Sequence, residues 1–364
     1  MREPRSSPWR PRSVAARWRR RPLVPIVASF EQVPEAQSVG VELPSDPAAP
    51  PRTLSVRPPL AGLCPPWPPR SVAPRVTVLP QAALAYPSGA VLSSRGEIVM
   101  ETLWDLDHWS RDFNPPPELP APTVIRGRHA SLISLWSHNY FHWLFEALPR
   151  LAVLRASGVS YDGVIVPARL SAFHEQTLEL AGIPRERWVP FTGMHVIPDE
   201  LVWAAPLAPI GFPTPYLIEW LRQTLGSAAA GPPHRRIYLA RRGSRRITNE
   251  RAVLEVLRPL GIEPVDSEDL ALRAQIDLFS TAELLIGSHG AAFANGIFSS
   301  QLTALEFYQP AHVNASITAV LAAAGHTHWS LVGRQVRQLG HKTNDHVSVG
   351  LDELRETLAR MNLS

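Results

Sequence analysis

The chain has 364 residues, of which 45% are hydrophobic and 38 are proline, and its formal net charge is +4. That length suits about two domains with cores of their own, the single cysteine, Cys64, excludes an intramolecular disulfide framework, and no apolar run is long enough for a transmembrane helix. The charge is uneven, because residues 1–72 carry 11 arginines against 5 acidic residues and the rest of the chain is slightly acidic.

Residues 1–72 are predicted to form a disordered or polyproline-like segment. They hold 16 of the 38 prolines, which continue neither a helix nor a central strand. An arginine-rich run at 17–21 followed by apolar residues resembles a secretion signal, but prolines interrupt the apolar part. The alternatives are a solvated tail and an arm that binds a membrane surface or nucleic acid. Because the body of the chain is slightly acidic, we expect no nucleic-acid partner. We also expect a cytoplasmic protein, with peripheral membrane association as the alternative.

From residue 73 the pattern changes to that of an α/β protein, and residues 73–230 are predicted to be an N-terminal domain. Short apolar runs between turn residues predict strands at 76–79, 90–92, 97–100, 131–135, 163–166 and 201–203. Apolar residues at helical spacing predict helices at 139–154, 171–181 and 214–225. Pro149 lies inside the first helical pattern and predicts a kink or two abutting helices there.

A stretch of small residues and prolines at 226–233 is the best linker in the chain, and residues 231–364 are predicted to be a C-terminal domain. Strands are predicted at 237–240, 262–265, 283–286 and 303–307, and helices at 249–260, 268–279, 291–298 and 313–324. Such alternation predicts a parallel sheet covered on both faces. Two halves of this kind predict a ligand cleft between them, outside the carboxyl ends of the strands.

Ionisable side chains recur every four residues in the apolar segment that contains His138, His142 and Glu146. On a helix these three residues share one face, and because burying such a row unpaired is costly, we expect the face to line a cleft. His142 and Glu146 are then candidates for a general base pair. The alternatives are a hydrogen-bonded core histidine with a surface glutamate, and a zinc site for which no third ligand is evident.

Arginines surround a Gly-Ser turn directly after the strand predicted at 237–240, at positions 241, 242, 245 and 246. Guanidinium groups bind phosphate in a bidentate manner, and the helix predicted to start at Asn249 would add backbone donors. The segment therefore predicts a site for a phosphate-bearing ligand, with a solvated basic loop as the alternative.

The strand at 283–286 runs into Gly287-Ser288-His289-Gly290 and then into a helix of small residues. Small residues let a ligand approach the backbone, and the helix start can hold a phosphate. His289 is therefore a candidate donor to a phosphate oxygen, although a tight strand–helix turn is the alternative. Glu306, on the next predicted strand, is a candidate acceptor for ribose hydroxyls.

Three stretches in this order resemble the catalytic region of glycosyltransferase family 61 over residues 75–335. They are Asn139-Tyr140-Phe141-His142-Trp143-Leu144 with Glu146 and Leu148-Pro149-Arg150-Leu151, then the arginine block from 238 to 250, then Ile286-Gly287-Ser288-His289-Gly290-Ala291 with Asn295. The resemblance implies an α/β, GT-B-like fold of two Rossmann-like domains facing a cleft. It also implies an inverting, metal-independent transfer from a nucleotide-sugar donor, a UDP-sugar, to a glycan acceptor, with no cofactor and with surface polysaccharide synthesis as the setting.

Carried over residue by residue, the resemblance assigns roles on both sides of that cleft. At the donor it implies Arg241, Arg242, Arg245, Asn249, His289, Gly290, Asn295 and Glu306. The catalytic residues would be Glu146 and His142, and either could be the base, with His138 and Asn139 on the acceptor side.

The sequence departs from the family pattern at two places. Ala292 stands where the family has glycine, and residues 299–301 replace a turn containing Pro-Gly. These departures keep open an alternative, a catalytically degenerate module of the same fold that binds only a nucleotide or glycan.

Overall fold

A computed structural model describes residues 26–44, 73–85, 88–103, 119–226, 231–337 and 340–363. Most of the predicted disordered segment, residues 1–25 and 45–72, lies outside these ranges, as does Cys64. Residues 26–44, predicted to belong to the same segment, correct that prediction: they form two strands of the N-terminal sheet. Phe30 and Val33 are buried there, and the Phe30 ring lies 5.0 Å from that of Trp203. The prolines of this stretch lie outside its strands, so they do not prevent pairing.

Ten strands of the N-terminal half form one mixed sheet with the order β1-β6-β5-β4-β10-β7-β8-β9, while β3 pairs with β10 and β2. The strands are β1 (Ile26–Val27), β2 (Gln37–Gly40), β3 (Arg75–Pro80), β4 (Ala83–Ala85), β5 (Ala90–Leu92), β6 (Ile98–Val99), β7 (Thr123–Ser131), β8 (Gly163–Pro167), β9 (Trp188–Phe191) and β10 (His195–Ala204). Strands β10, β7, β8 and β9 are parallel neighbours, whereas β3 and β4 run antiparallel to β10. Only part of this half therefore matches the predicted Rossmann-like sheet. The strand predicted at 131–135 is also wrong, because β7 ends at Ser131.

The helices of this half lie close to their predicted positions. They are α1 (Tyr140–His142), α2 (Arg150–Ser157), α3 (Ala172–Leu180) and α4 (Pro215–Leu225). Between α1 and α2 the chain forms a π-helical turn, Trp143–Ala147, closed by a hydrogen bond of 2.9 Å from the Leu148 N–H to the Trp143 carbonyl. Pro149 has no N–H to continue the ladder, and α2 starts directly after it. The predicted interruption at Pro149 is confirmed.

The C-terminal half contains the predicted parallel sheet, with the strand order β12-β11-β13-β14-β15. Its strands are β11 (Arg235–Leu239), β12 (Glu263–Val265), β13 (Ala282–Ser288), β14 (Thr303–Tyr308) and β15 (Thr327–Val332). The helices are α5 (Glu250–Leu257), α6 (Leu272–Ser280), α7 (Ser316–Ala323) and α8 (Leu351–Arg360), with a 3₁₀ helix at Ala291–Phe298 and a hairpin of β16 (Arg334–Val336) and β17 (His346–Ser348). The strand order reverses between β11 and β13, and open α/β sheets bind ligands at the carboxyl ends that flank such a switch point.

One hydrophobic core continues from one half into the other. It includes Leu148 and Val202 from the N-terminal half and Leu285 and Ile297 from the C-terminal half. Helix α4, which the sequence assigns to the N-terminal domain, also packs on the 3₁₀ helix and α7. The domain boundary at 230/231 and a GT-B division stay predictions. No helix in the described ranges is long and apolar enough to cross a bilayer.

Candidate functional site

The loops after β11 and β13 meet at the switch point of the C-terminal sheet. Arg241, two residues after β11, donates from Nη1 to the carbonyl of His289 over 3.3 Å. The Ser288 hydroxyl at the end of β13 donates to the carbonyl of Arg245 over 2.6 Å. The arginine block and the His-Gly block, predicted separately from the sequence, therefore form one structure.

Gly290 permits the close approach of these two loops. A Cβ added at Gly290 would lie 1.9 Å from Nη1 of Arg241, which is far inside van der Waals contact. The atom that it would meet is the tip of a long side chain, so any larger residue would displace the guanidinium group and leave the backbone in place. Glycine at this position therefore sets where the charge of Arg241 lies.

Arg241 and Arg245 are half-buried cations that form no ion pair with a described residue; the carboxylates that act on them, Glu268 on Arg241 and Glu306 on Arg245, do so without direct contact. Nε of Arg245 is buried with no hydrogen-bond partner in the part of the chain that the structure covers. Burial lowers the pKa of both, that of Arg245 to about 10, where the charge of Arg241 adds to the effect and Glu306 opposes it. Arg245 also has a left-handed backbone, with φ of 60°. Such a pair favours an anionic ligand that supplies the missing hydrogen bonds.

Arg242 does not join this pair, and its donor-binding role stays a prediction. Its side chain is 60% exposed and forms ion pairs with Asp266 and, at 2.6 Å, Asp269. The two carboxylates neutralise the guanidinium group on the solvent side of the loop. The positive charge of Arg242 is therefore balanced within the protein.

His289 uses both ring nitrogens within the protein. Nδ1 lies 2.5 Å from Oε1 of Glu306, and Nε2 lies 3.1 Å from Nδ2 of Asn314. The amide of Asn314 is oriented by the Ser316 N–H, which donates to its Oδ1 over 3.2 Å, so Nδ2 is the donor and Nε2 of His289 the acceptor. Both ring nitrogens thus have partners within the protein, and a hydrogen bond from His289 to a phosphate oxygen stays a prediction. The ring supports the loop that faces Arg241.

Glu306, whose contact with a ribose stays a prediction, is fully buried. In addition to His289, it accepts hydrogen bonds from the Tyr308 hydroxyl at 2.5 Å and from Nε2 of His328 at 3.1 Å. Burial alone would raise the pKa of Glu306, but the hydrogen bonds from His289 and His328 outweigh it and lower the pKa to about 2. Glu306 is therefore an internal anion that orients two imidazoles.

Asn249 and Asn295, both predicted at the donor, are also used inside the fold. The amide of Asn249 pairs with the backbone of Val349, donating over 2.8 Å and accepting over 3.0 Å. Asn295 is fully buried, accepts from the Tyr140 hydroxyl at 2.5 Å and donates to Gln275 at 2.8 Å. Both amides therefore hold the fold together through these hydrogen bonds, and their donor-binding roles stay predictions.

In the N-terminal half, His142 and Glu146 form a hydrogen-bonded pair. Nδ1 of His142 lies 2.7 Å from Oε1 of Glu146, across the π-helical turn. The side chain of His142 is 19% exposed and that of Glu146 only 5%, which reverses the alternative of a core histidine with a surface glutamate. The ring of Trp136 lies 4.9 Å from that of His142. Glu146 and Trp136 thus orient the imidazole of His142, and Nε2 is the ring nitrogen that does not contact Glu146.

The spacing predicts that His138 shares a helical face with this pair, but in the structure it does not. The side chain of Asn139 accepts a hydrogen bond from the Phe141 N–H at 2.9 Å and caps α1. The helix therefore begins after His138, and both His138 and Asn139 are exposed. Their acceptor-side role stays a prediction.

Arg150 is a buried cation beside this pair, and the sequence pattern assigned it no role. Its Nε donates to the carbonyl of Glu146 over 3.2 Å, and burial lowers its pKa to about 10, which the charge of Glu146 opposes. The two side chains line a cavity of about 50 Å³ with Ser88 and Ser134. Its position four residues after Glu146 is the sequence signal that could have identified it.

The two departures from the family pattern are accommodated in the structure. The Ser299 hydroxyl donates to the carbonyl of Ala282 over 2.7 Å and accepts from the Gln301 N–H over 3.2 Å, so it closes the turn at 299–301. Ala292 packs against the main hydrophobic core. Within the described ranges, no group of three or more His, Cys, Asp or Glu side chains is arranged to hold a metal ion.

The two sites lie on either side of the contact between Tyr140 and Asn295. Tyr140 is two residues before His142, and Asn295 is in the 3₁₀ helix that follows Gly290. A comparison with protein families shows that residues 140–305 match the family described as Glycosyltransferase 61. This range includes His142, Glu146, both arginines of the switch point and Gly290. The comparison with curated proteins returned no match.

Proposed function

We propose that this chain, whose residues 140–305 match glycosyltransferase family 61, transfers a sugar to an acceptor from a UDP-sugar bound at the switch point. The observation that carries this proposal is the pair Arg241 and Arg245, two half-buried cations that form no ion pair with a carboxylate in the described ranges. A diphosphate supplies the charge and the acceptor oxygens that they lack.

The arginines would also assist the reaction. When the bond between the sugar and the diphosphate breaks, negative charge grows on the leaving oxygen, and each charge-assisted hydrogen bond contributes roughly 1.5–3 kcal/mol. Two guanidinium groups fixed before the reaction supply this stabilisation without reorganisation. We therefore propose a metal-independent transfer.

His142 is the base of the proposed transfer, and Glu146 orients it. Nδ1 of His142 donates to Glu146, so Nε2 takes the proton from the acceptor hydroxyl while the hydroxyl oxygen attacks the anomeric carbon. The diphosphate leaves from the opposite face, which inverts the configuration at that carbon. The exposure of His142, higher than that of Glu146, favours this order over Glu146 as the base. The acceptor is a glycan, and family resemblance alone supports a cytoplasmic role in surface polysaccharide synthesis.

Thermal unfolding with and without UDP, in the presence of chelator, tests the donor site. UDP at about 100 times its Kd stabilises a folded protein by about 2.7 kcal/mol, which raises the Tm by several degrees. We expect this rise in the wild type and in Arg242→Met, because Arg242 is neutralised by aspartates. We expect it to be lost in Arg245→Met. Equal shifts in both variants, or none in the wild type, would contradict the site.

Release of UDP from a panel of UDP-sugars, with and without simple glycoside acceptors, tests the base. We expect His142→Ala to lower kcat by about 10²–10⁴-fold and Glu146→Gln to lower it less, both with unchanged UDP affinity. Normal turnover by His142→Ala would contradict the assignment. UDP binding without turnover of any UDP-sugar by the wild type would instead favour the nucleotide-binding module.

A further inference from the structure

We propose that His312 is a third direct ligand of the donor diphosphate, through the N–H at its Nδ1. This inference rests on the proposed UDP-sugar site and adds to it a residue that no sequence motif marks. His312 lies in the loop between β14 and α7, outside the predicted strand and just before the helix predicted at 313–324.

The place of His312 in the sheet supports this role. Strands β11, β13 and β14 are adjacent and parallel, so the loops that follow them leave the same edge of the sheet. The first loop carries Arg241 and Arg245, the second carries His289, and the third carries His312. The rings of His289 and His312 meet edge to face with centroids 5.0 Å apart. The third loop therefore extends the arginine site by one strand.

Asn314 fixes which ring nitrogen of His312 carries the proton. Its Nδ2 lies 3.1 Å from Nε2 of His289 and 3.4 Å from Nε2 of His312. Because Oδ1 of Asn314 accepts from Ser316, Nδ2 has two hydrogens to donate, one to each ring. Nε2 of His312 is then an acceptor, and in a neutral ring the proton is on Nδ1.

The charges around His312 keep it neutral near physiological pH. Burial lowers its pKa to about 4, and the charge of Arg245 adds to the effect while Glu306 opposes it. The ring is therefore a neutral hydrogen-bond donor beside an unpaired guanidinium group. This arrangement suits one oxygen of a diphosphate that Arg245 also contacts.

Titration calorimetry with UDP on the full chain tests the proposal through four variants. His312→Phe keeps a ring against His289 but has no N–H, and we expect about tenfold weaker UDP binding, equivalent to about 1.4 kcal/mol. His312→Asn places an amide nitrogen on Cγ, where Nδ1 was, and should keep most of the affinity. His312→Gln places the nitrogen one bond further and should not. His234→Phe, at the exposed amino end of β11, is the control and should bind UDP like the wild type.

Three outcomes separate this inference from the proposed function. Wild-type affinity in His312→Phe, with UDP bound by the wild type, would overturn the role of His312 and leave the function standing. Equal losses in His312→Asn and His312→Phe would show that an N–H at the position of Nδ1 does not restore UDP binding, and would also overturn it. Absence of UDP binding by the wild type would overturn the function itself. Because a neutral His312 does not change its protonation between about pH 6 and 8, it should add no pH dependence to UDP affinity in this range. If the wild type lost affinity as a single group deprotonated there, and His312→Asn did not, the neutral donor would be contradicted.

Discussion

At the residue scale, the proposed donor site is defined by the charged groups that form no ion pair within the described structure. Arg241 and Arg242 are sequence neighbours, yet one lies against the carbonyl of His289 and the other pairs with two aspartates on the surface. The sequence predicted the cluster of charge but could not separate its members, because the partners of Arg242 come from a loop more than twenty residues away. The sequence also could not predict that Glu306 is buried against His289, because these two residues are likewise distant in the chain.

Glu306 should give the protein a pH-dependent stability. Its pKa is lowered to about 2 in the folded state from an ordinary value of 4.5, so its contribution is complete above about pH 5 and is lost as the pH falls through 4.5 towards 2. Glu306→Gln leaves His289 and His328 without their anion, and breaking such a buried interaction costs about 3 kcal/mol. We expect the difference in unfolding free energy between the wild type and this variant to be largest near pH 7.

Urea unfolding from about pH 7 down to about pH 3 measures this difference, which should shrink steadily as the wild-type carboxylate loses its advantage. Glu283→Gln is the matched control, since Glu283 forms a half-exposed ion pair with Arg236 and such pairs contribute only about 0–1 kcal/mol. A difference for Glu306→Gln that stays constant with pH would show that the lost hydrogen bonds, and not the charge, carry the effect.

At the scale of secondary structure, the C-terminal half could be predicted closely and the N-terminal half only in part. Alternation of strands and helices fixed β11 to β14 because each parallel crossover leaves a local pattern in the sequence. In the N-terminal sheet, β10 pairs with β3 and β4 antiparallel and with β7 parallel. Periodicity predicts a strand but not the direction of its neighbour, since the pairing joins segments more than sixty residues apart.

The turn between α1 and α2 shows the same limit on a smaller scale. Pro149 predicted that the helix would break, and it does. The widening of the preceding turn into a π-helix, closed between Leu148 and Trp143, was not predictable from the proline alone. It is this turn that His142 and Glu146 span, and π-turns of this kind occur frequently at functional sites. The element that the sequence described least well is therefore the one that positions the proposed base.

At the scale of the whole molecule, the proposed transfer requires that His142 in one half and the proposed diphosphate site in the other keep a fixed relative position. The described contacts provide a chain of hydrogen bonds for this purpose, from Tyr140 beside His142 through Asn295 to Gln275 on α6. Asn295 is fully buried, so each of its polar atoms depends on its partner. Asn295 therefore connects the segment that contains His142, the proposed base, to the 3₁₀ helix that follows Gly290.

Tyr140→Phe should therefore impair turnover more than UDP binding. The variant keeps the ring but leaves Oδ1 of Asn295 buried without a donor, which costs about 1–3 kcal/mol of unfolding free energy. Arg241 and Arg245 lie wholly in the C-terminal half, so calorimetry should give a near wild-type Kd for UDP, while kcat for UDP release should fall because His142 is no longer held in register. Tyr161→Phe, whose ring lies under Arg187 away from this contact, should change neither quantity. If Tyr140→Phe weakened UDP binding and turnover equally, the hydrogen bond would support the donor loop and not the relation between the two halves.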